Sequence, residues 1–365
     1  MLISSSLNYR QIEPHSITPD QLHSLGSIMH EHWSEVDHPL NVRSIEGLER
    51  LLQIPDRINL KSMYFVAQTN EGKIISYIRA WLNTGSYNQE YANLQNYTLP
   101  EYRRQNIMKN LFLKAVQSLP EHITKINIWI RVDKAYPFYL DSLSLINYLK
   151  SKQIKQVFTS RQSVSNLKQF DIQKVVHKAQ EYKDLANKNG YSLLFLNASE
   201  YSTQKFFDLE KYVSMYTSID NDMPREEGDW EDIQLTVSDF LSLHKYHKRL
   251  NQDVWIFVAI ENSTGFPVGM TDTYISKDVP EVAYQGDTGV LRAHRGKRLG
   301  ISMKYQMLAK LLTDPLGLTK KFWVTYNAYS NKYMIRINDD LQYKEKAISK
   351  GFEISREQIL NELSA

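Results

Sequence analysis

The sequence predicts a duplicated α/β unit, and three matches held in one register predict it. A strand Met63–Gln68, a turn through Asn70, Glu71, Gly72 and Lys73, and a return strand Ile74–Ile78 read as a hairpin. The same shape recurs at Val254–Ile260, Gly265-Phe266-Pro267 and Val268–Thr271. Arg103, in Pro100-Glu101-Tyr102-Arg103-Arg104, is answered by Arg295 in Ala293-His294-Arg295-Gly296, about 192 residues on. The strand Ile126–Ile130 is echoed by Phe322–Tyr326 at nearly the same offset. With 365 residues the chain has room for two domains of about 150 residues, each with its own core.

Between the copies, Ile172 to Asn189 has helical spacing at Val175, Val176, Ala179, Tyr182 and Ala186 and stops at Asn189-Gly190. This predicts a first domain at 1–170, a second at 171–365, and a connecting helix over 171–190. Phe158 to Leu167 is expected as the last strand of the first copy, and Tyr191 to Leu196 as the first strand of the second.

Composition removes whole classes of chemistry. There are 44 Lys and Arg against 41 Asp and Glu, so the +3 balance is too small for a protein that coats nucleic acid. Without cysteine there is no disulfide, zinc thiolate, iron–sulfur cluster or thiol nucleophile. No apolar run approaches the roughly 18 residues of a membrane span. The expected partners therefore exclude nucleic acid and membrane, no metal is expected, and the expected setting is the cytoplasm, as a monomer or homodimer.

The segment with chemistry in it is Arg292-Ala293-His294-Arg295-Gly296-Lys297-Arg298-Leu299-Gly300, between a strand at Ala283–Leu291 and a helix at Ile301–Leu312. A helix start presents unpaired N–H groups to an anion, Gly296 and Gly300 let a phosphate approach the backbone, and Arg295, Lys297 and Arg298 add charge. A pyrophosphate fits such a turn. The P-loop Lys-Ser or Lys-Thr ending and the spacing of the three-glycine dinucleotide turn are both absent, which disfavours ATPase and NAD chemistry.

This turn resembles the coenzyme-A turn of the GNAT superfamily of N-acetyltransferases. Val290-Leu291-Arg292 stands at the strand end, Arg295 at the first basic position and Gly300 at the last small one, with Arg298 where a glycine is usual. Gln285-Gly286-Asp287-Thr288-Gly289-Val290, Lys304, Asp222-Met223-Pro224 and Gly228-Asp229 resemble the tandem-domain branch related to mycothiol synthase. The resemblance implies two GNAT-like α/β (α+β) domains, each a mixed, mostly antiparallel twisted sheet flanked by helices. It implies acetyl-CoA as co-substrate and a primary amine, on a small molecule or peptide, as acceptor. Coenzyme contacts are then expected at Thr288, Val290, Leu291, Arg292, Arg295, Gly296, Lys297, Arg298, Leu299, Gly300, Ile301, Ser302 and Asn331.

For catalysis the candidates are Asp287 as base, Gln285 as the group that orients the amine or a water, and Tyr343 as a substitute proton donor. The resemblance puts the family's usual tyrosine position on Asn338 if Leu341-Gln342-Tyr343 is the family's ending, or on Ala347 if Lys350-Gly351-Phe352 is, and Tyr333 is the other substitute for the missing phenol. In the first copy Asn106 and Met108 replace the small residues, which predicts lost coenzyme binding. Two alternatives stay open: an acyl-CoA-binding protein without catalysis, and ligase-like transfer of a larger acyl group.

Overall fold

The computed structural model describes residues 7–57, 59–133, 135–198 and 208–364. The chain divides into two units. One comprises the described residues up to Thr159, with Glu227–Glu231 and Ser349 onward; the other comprises Ser160–Glu226 and Asp232–Ile348.

In the first unit, β1 (Asn8–Ile12), β2 (Leu60–Gln68), β3 (Ile74–Asn83) and β4 (Tyr91–Thr98) pair antiparallel in sequence order. β4 then runs parallel to β5 (Lys125–Arg131), and β5 pairs antiparallel with β12 (Lys344–Ser355). The helices are α1 (Pro19–Asp37), α2 (Ile45–Gln53), α3 (Ile107–Ser118), α4 (Tyr139–Ser151) and α10 (Arg356–Ser364). α1 begins where Thr18 and Gln21 cap each other's backbone N–H groups and Pro19 takes the first turn. Its core gathers Phe65, Ala67, Ile75, Tyr77 and Ile78 with Leu111 and Phe352, all buried.

The second unit repeats this order. β7 (Tyr191–Asn197), β8 (Gln252–Glu261), β9 (Pro267–Ser276) and β10 (Val282–Val290) pair antiparallel, β10 lies parallel to β11 (Phe322–Ala328), and β11 pairs antiparallel with β6 (Lys155–Asn166). Its helices are α5 (Ile172–Lys188), α6 (Leu209–Asn221), α7 (Val237–Arg249), α8 (Leu299–Thr313) and α9 (Lys332–Asp340). The run Val254–Ala259 is apolar throughout because both sides of β8 are covered. Trp255, Phe257 and Ala259 share a core with α5 and α8, while Val254, Ile256 and Val258 share one with α6 and α7.

The last strands depart from contiguous halves at 1–170 and 171–365. β6, expected to end the first copy, closes the second unit's sheet from Asn166 opposite Phe322 to Ser160 opposite Ala328. β12 takes the matching edge of the first unit, from Ser349 opposite Arg131 to Ser355 opposite Lys125. A sheet edge is read by backbone groups, and two copies of one unit offer equivalent edges, so strand periodicity alone does not say which edge a strand joins. Among the described residues no helix is long and apolar enough to cross a membrane.

Candidate active site

In the second unit β10 is bonded to β9 from Ala283 to Val290, yet it lies along β11 only from Val282 to Tyr284, opposite Phe322 to Val324. Both strands continue, β10 to Val290 and β11 to Ala328, so they part. The parting coincides with a bulge, in which Gln285 to Thr288 spans the same two steps as Thr273 to Thr271. Backbone groups of β10 beyond the bulge thus face a gap, where an extended ligand with its own amides can complete the ladder.

Beyond Val290 the chain turns into α8. Leu291 N–H donates to Val268 C=O at 2.9 Å, and Gly296 (φ +80°) and Arg298 (φ +61°) supply the left-handed steps. Arg298 is the N-cap, without a capping side-chain bond. Ser302 N–H is the first to reach back, to Arg298 C=O at 3.0 Å, so the N–H groups of Leu299, Gly300 and Ile301 point out of the helix end. Ser302 is fully buried, and its hydroxyl donates to Arg298 C=O at 2.8 Å. Beside the turn is a cleft of about 290 Å³ lined by Ile219, Asp222, Val290, Leu291, Arg292 and Arg295, among others. Lys297 donates to the Tyr191 hydroxyl at 2.6 Å.

The α6 side of the bulge carries acids. Tyr216 donates to Asp287 Oδ2 at 2.7 Å, Asp287 N–H donates to Asp272 Oδ1 at 2.6 Å, and Tyr274 donates to Asp272 Oδ2 at 3.1 Å. Burial pushes the Asp287 carboxyl up, against the opposing bond from Tyr216. Asp272, 3 % exposed, is pushed well up, first by burial and then by the charge of Asp287. Burial, helped by Asp287, raises Asp220 to about 6. This cluster hugs the backbone: a Cβ on Gly286 would lie 2.3 Å from Asp272 Oδ1, and one on Gly289 would lie 2.1 Å from Ile219 Cγ2.

Two stability predictions follow from that packing. Gly289→Ala forces α6 off β10 and should cost about 1–3 kcal/mol, read as a lower urea midpoint. Asp220 has a folded pKa near 6 against about 3.9 unfolded, so it stays neutral longer in the folded state and its destabilising effect grows as pH rises from 4 through 6. Asp220→Asn should therefore stabilise the protein by about 2–3 kcal/mol at pH 8 and by little at pH 4, measured by denaturation at both.

Residues 26–142 match the model of the Acetyltransferase (GNAT) family. The matched stretch lies within the first unit. Over the whole chain the fold is similar to a tandem GNAT protein from the clavulanic acid biosynthesis pathway, solved without AcCoA (16% identity, 96% of this chain and 98% of that one, TM-score 0.73). It is also similar to a GCN5-related N-acetyltransferase from Sphaerobacter thermophilus (12% identity, 96% of each chain, TM-score 0.62). A GNAT-family acetyltransferase from Colwellia psychrerythraea is a third (12% identity, 95% of this chain and 99% of that one, TM-score 0.52). At such identities the likeness is one of fold. No curated protein matches the chain.

The second GNAT-like unit gives three expected site residues other work. Gln285, 4 % exposed, stands opposite Thr273 and donates to Thr271 Oγ1 at 3.1 Å and to Asp272 C=O at 2.6 Å. Strand alternation places it on the face away from Asp272, so it braces the bulge rather than orienting an amine. Tyr343 is 1 % exposed, 5.4 Å from the Trp323 ring, and its hydroxyl has no partner among the described residues. Burial raises its pKa well above the usual value, so it is a core residue rather than a proton donor. Asn331 Oδ1 accepts from Met334 N–H at 3.2 Å and caps α9.

Thr288 shares a 2.7 Å hydroxyl bond with Thr271. Asn338 is buried; it accepts from Lys304 Nζ at 2.5 Å and donates to Asn327 at 2.7 Å. Burial lowers Lys304 to about 7. Asp272, Tyr216 and Asp220 were not singled out from sequence. The one available signal was Asp272 itself, a charge in the middle of β9.

The first unit keeps the turn's backbone without its glycines. Arg104 (φ +63°) and Asn106 (φ +59°) hold the left-handed positions, and Asn106 caps α3 as Arg298 caps α8. Met108 stands where the second unit has Gly300 and packs against the core. The loop Glu227–Glu231 is occupied too: Glu227 N–H donates to Val157 C=O at 3.1 Å, Tyr91 to Asp229 C=O at 3.3 Å, and Asn88 exchanges two bonds with Glu231.

Proposed function

We propose that the second unit transfers an acetyl group in the cytoplasm from acetyl-CoA to a primary amine on a small molecule or peptide, with no covalent intermediate on the protein. The observation that carries this reading is the parting of β10 from β11 directly ahead of an uncapped helix start flanked by arginines. The pantetheine arm lies along the backbone of Thr288 to Leu291. The diphosphate lies at the N–H groups of Leu299, Gly300 and Ile301, with Gly296 leaving room and Arg292, Lys297 and Arg298 adding charge.

The amine nitrogen attacks the thioester carbonyl carbon while Asp287 takes its proton; the C–S bond breaks and the coenzyme leaves as a thiolate that solvent protonates. Titration calorimetry with acetyl-CoA, beside a free-thiol release assay over an amine panel, tests this. Binding with amine-dependent release supports it.

A second reading, acyl-CoA binding without catalysis, is favoured by the burial of Asn338 and Tyr343, which leaves no phenol at the family's usual place. Binding without turnover with any acyl donor selects that reading. Turnover only with a larger acyl-CoA selects ligase-like transfer.

A further inference from the structure

Arg295 stands at the first basic position of the coenzyme turn. Its Nε donates to Val290 C=O at 3.0 Å and its Nη2 bonds Asp222, the residue that ends α6. In the first unit Arg103 occupies the same place. Its Nε donates to Thr98 C=O at 2.9 Å, and its two Nη groups bond Glu35, near the end of α1, at 3.0 and 2.5 Å. Thr98 and Val290 are also about 192 residues apart. Each unit therefore builds one bridge, from a strand-end carbonyl through an arginine to a carboxylate near the end of the first described helix after β1 or β7.

The bridge is present in the first unit, where Met108 replaces the turn's last glycine. A contact retained where the backbone approach is blocked is not maintained by a bound coenzyme. Arg292 behaves differently. It also reaches Asp222, at 2.7 Å from Nε, but its first-unit counterpart is Pro100, so that contact is not duplicated, and its side chain is 81% exposed. Arg292, followed by Arg295, holds the Asp222 carboxyl below its usual pKa, so Asp222 is charged across the working range.

We propose that Arg295 is a positioning residue, which with Asp222 fastens the end of α6 to the coenzyme turn and does not itself touch the diphosphate. What α6 carries explains why this matters: Tyr216 donates to Asp287, and Ile219 packs onto Gly289 at the mouth of the gap. The bridge fixes the acceptor side of the site relative to the coenzyme side. Arginine is required, since one side chain must serve a carbonyl through Nε and a carboxylate through Nη2, which a lysine ammonium cannot do from one point.

The consequence for amine turnover rests on the acetyltransferase reading above; the assignment of coenzyme contacts does not. Acetyl-CoA affinity by calorimetry and amine kcat/KM are measured for Arg295→Ala, Arg295→Lys, Asp222→Asn, the Arg295→Ala/Asp222→Asn double variant and Arg292→Ala, each after a thermal melt. Arg295→Ala, Arg295→Lys and Asp222→Asn should keep acetyl-CoA Kd within about threefold and lower amine kcat/KM about tenfold, the double variant being no worse than the worse single. Arg292→Ala should weaken acetyl-CoA about tenfold.

A tenfold loss of acetyl-CoA affinity in Arg295→Ala, restored by Arg295→Lys and not shared by Asp222→Asn, overturns the proposal, because it marks a phosphate ligand. Independent, multiplicative effects in the double variant overturn it as well. If Arg295→Ala does not fold, Asp222→Asn, which preserves side-chain shape, decides the matter. If the wild-type protein turns over no amine, the acetyltransferase reading fails and the affinity comparison still decides which residue holds the coenzyme.

Discussion

Gly300→Trp should abolish measurable acetyl-CoA binding, a loss beyond about 100-fold or about 2.7 kcal/mol, while Met108→Trp should leave affinity within about twofold. A Cβ at Gly300 would meet only Ile337 Cδ1, at 3.6 Å, so the residue is not small for want of room in the fold. Its smallness keeps the front of α8 open where three N–H groups point outward, and an indole there fills the space a phosphate needs. Gly300→Ala is the control: ordinary contact with Ile337 predicts a folded protein with binding largely kept. Met108 already blocks the matching position in the first unit, so enlarging it changes little. The comparison has force because residues 26–142, which match the acetyltransferase family model, include that blocked turn. Binding lost in Met108→Trp and kept in Gly300→Trp would place the coenzyme in the first unit and overturn the assignment.

Much of the architecture was legible because its signals are local. The hairpins at β2–β3 and β8–β9, the helix α5 and the strand-to-helix turns announce themselves through periodicity and turn residues, and duplication let one half check the other. The exchange of β6 and β12 was not legible, since the edges they join are equivalent in backbone pattern. In the site, the turn could be read because glycines and helix starts have sequence signatures. The acid cluster could not, because Tyr216, Asp220, Asp272 and Asp287 come from three separate elements and meet only when α6 settles on the bulge. Gln285 and Tyr343 show the converse. A polar group near a site in sequence was assigned to the chemistry, whereas a one-residue bulge and strand alternation turn Gln285 to the opposite face and the core takes Tyr343.

Asp287→Asn should lower kcat for the amine by about 10²- to 10⁴-fold while leaving acetyl-CoA affinity unchanged, since the substitution removes a base and retains an oxygen for the Tyr216 hydroxyl. Burial sets the expected pH dependence. Asp287 must be ionised to accept a proton, and burial raises its pKa against the opposing hydrogen bond from Tyr216, so activity should climb with pH through an apparent pKa above the usual carboxylate value of about 4. A base of raised pKa is also the better proton acceptor from an ammonium, because the transfer is less uphill. The residual activity of Asp287→Asn should lose that limb and depend on pH only through the amine. Retention of more than a tenth of wild-type kcat with the limb intact would move the base to Asp220 or Asp272, the other two carboxyls within the same cluster. Each can be tested by the same substitution, and Asp272→Asn is the more demanding, since Asp272 Oδ1 also holds the Asp287 N–H at 2.6 Å and so shapes the bulge that parts the two strands.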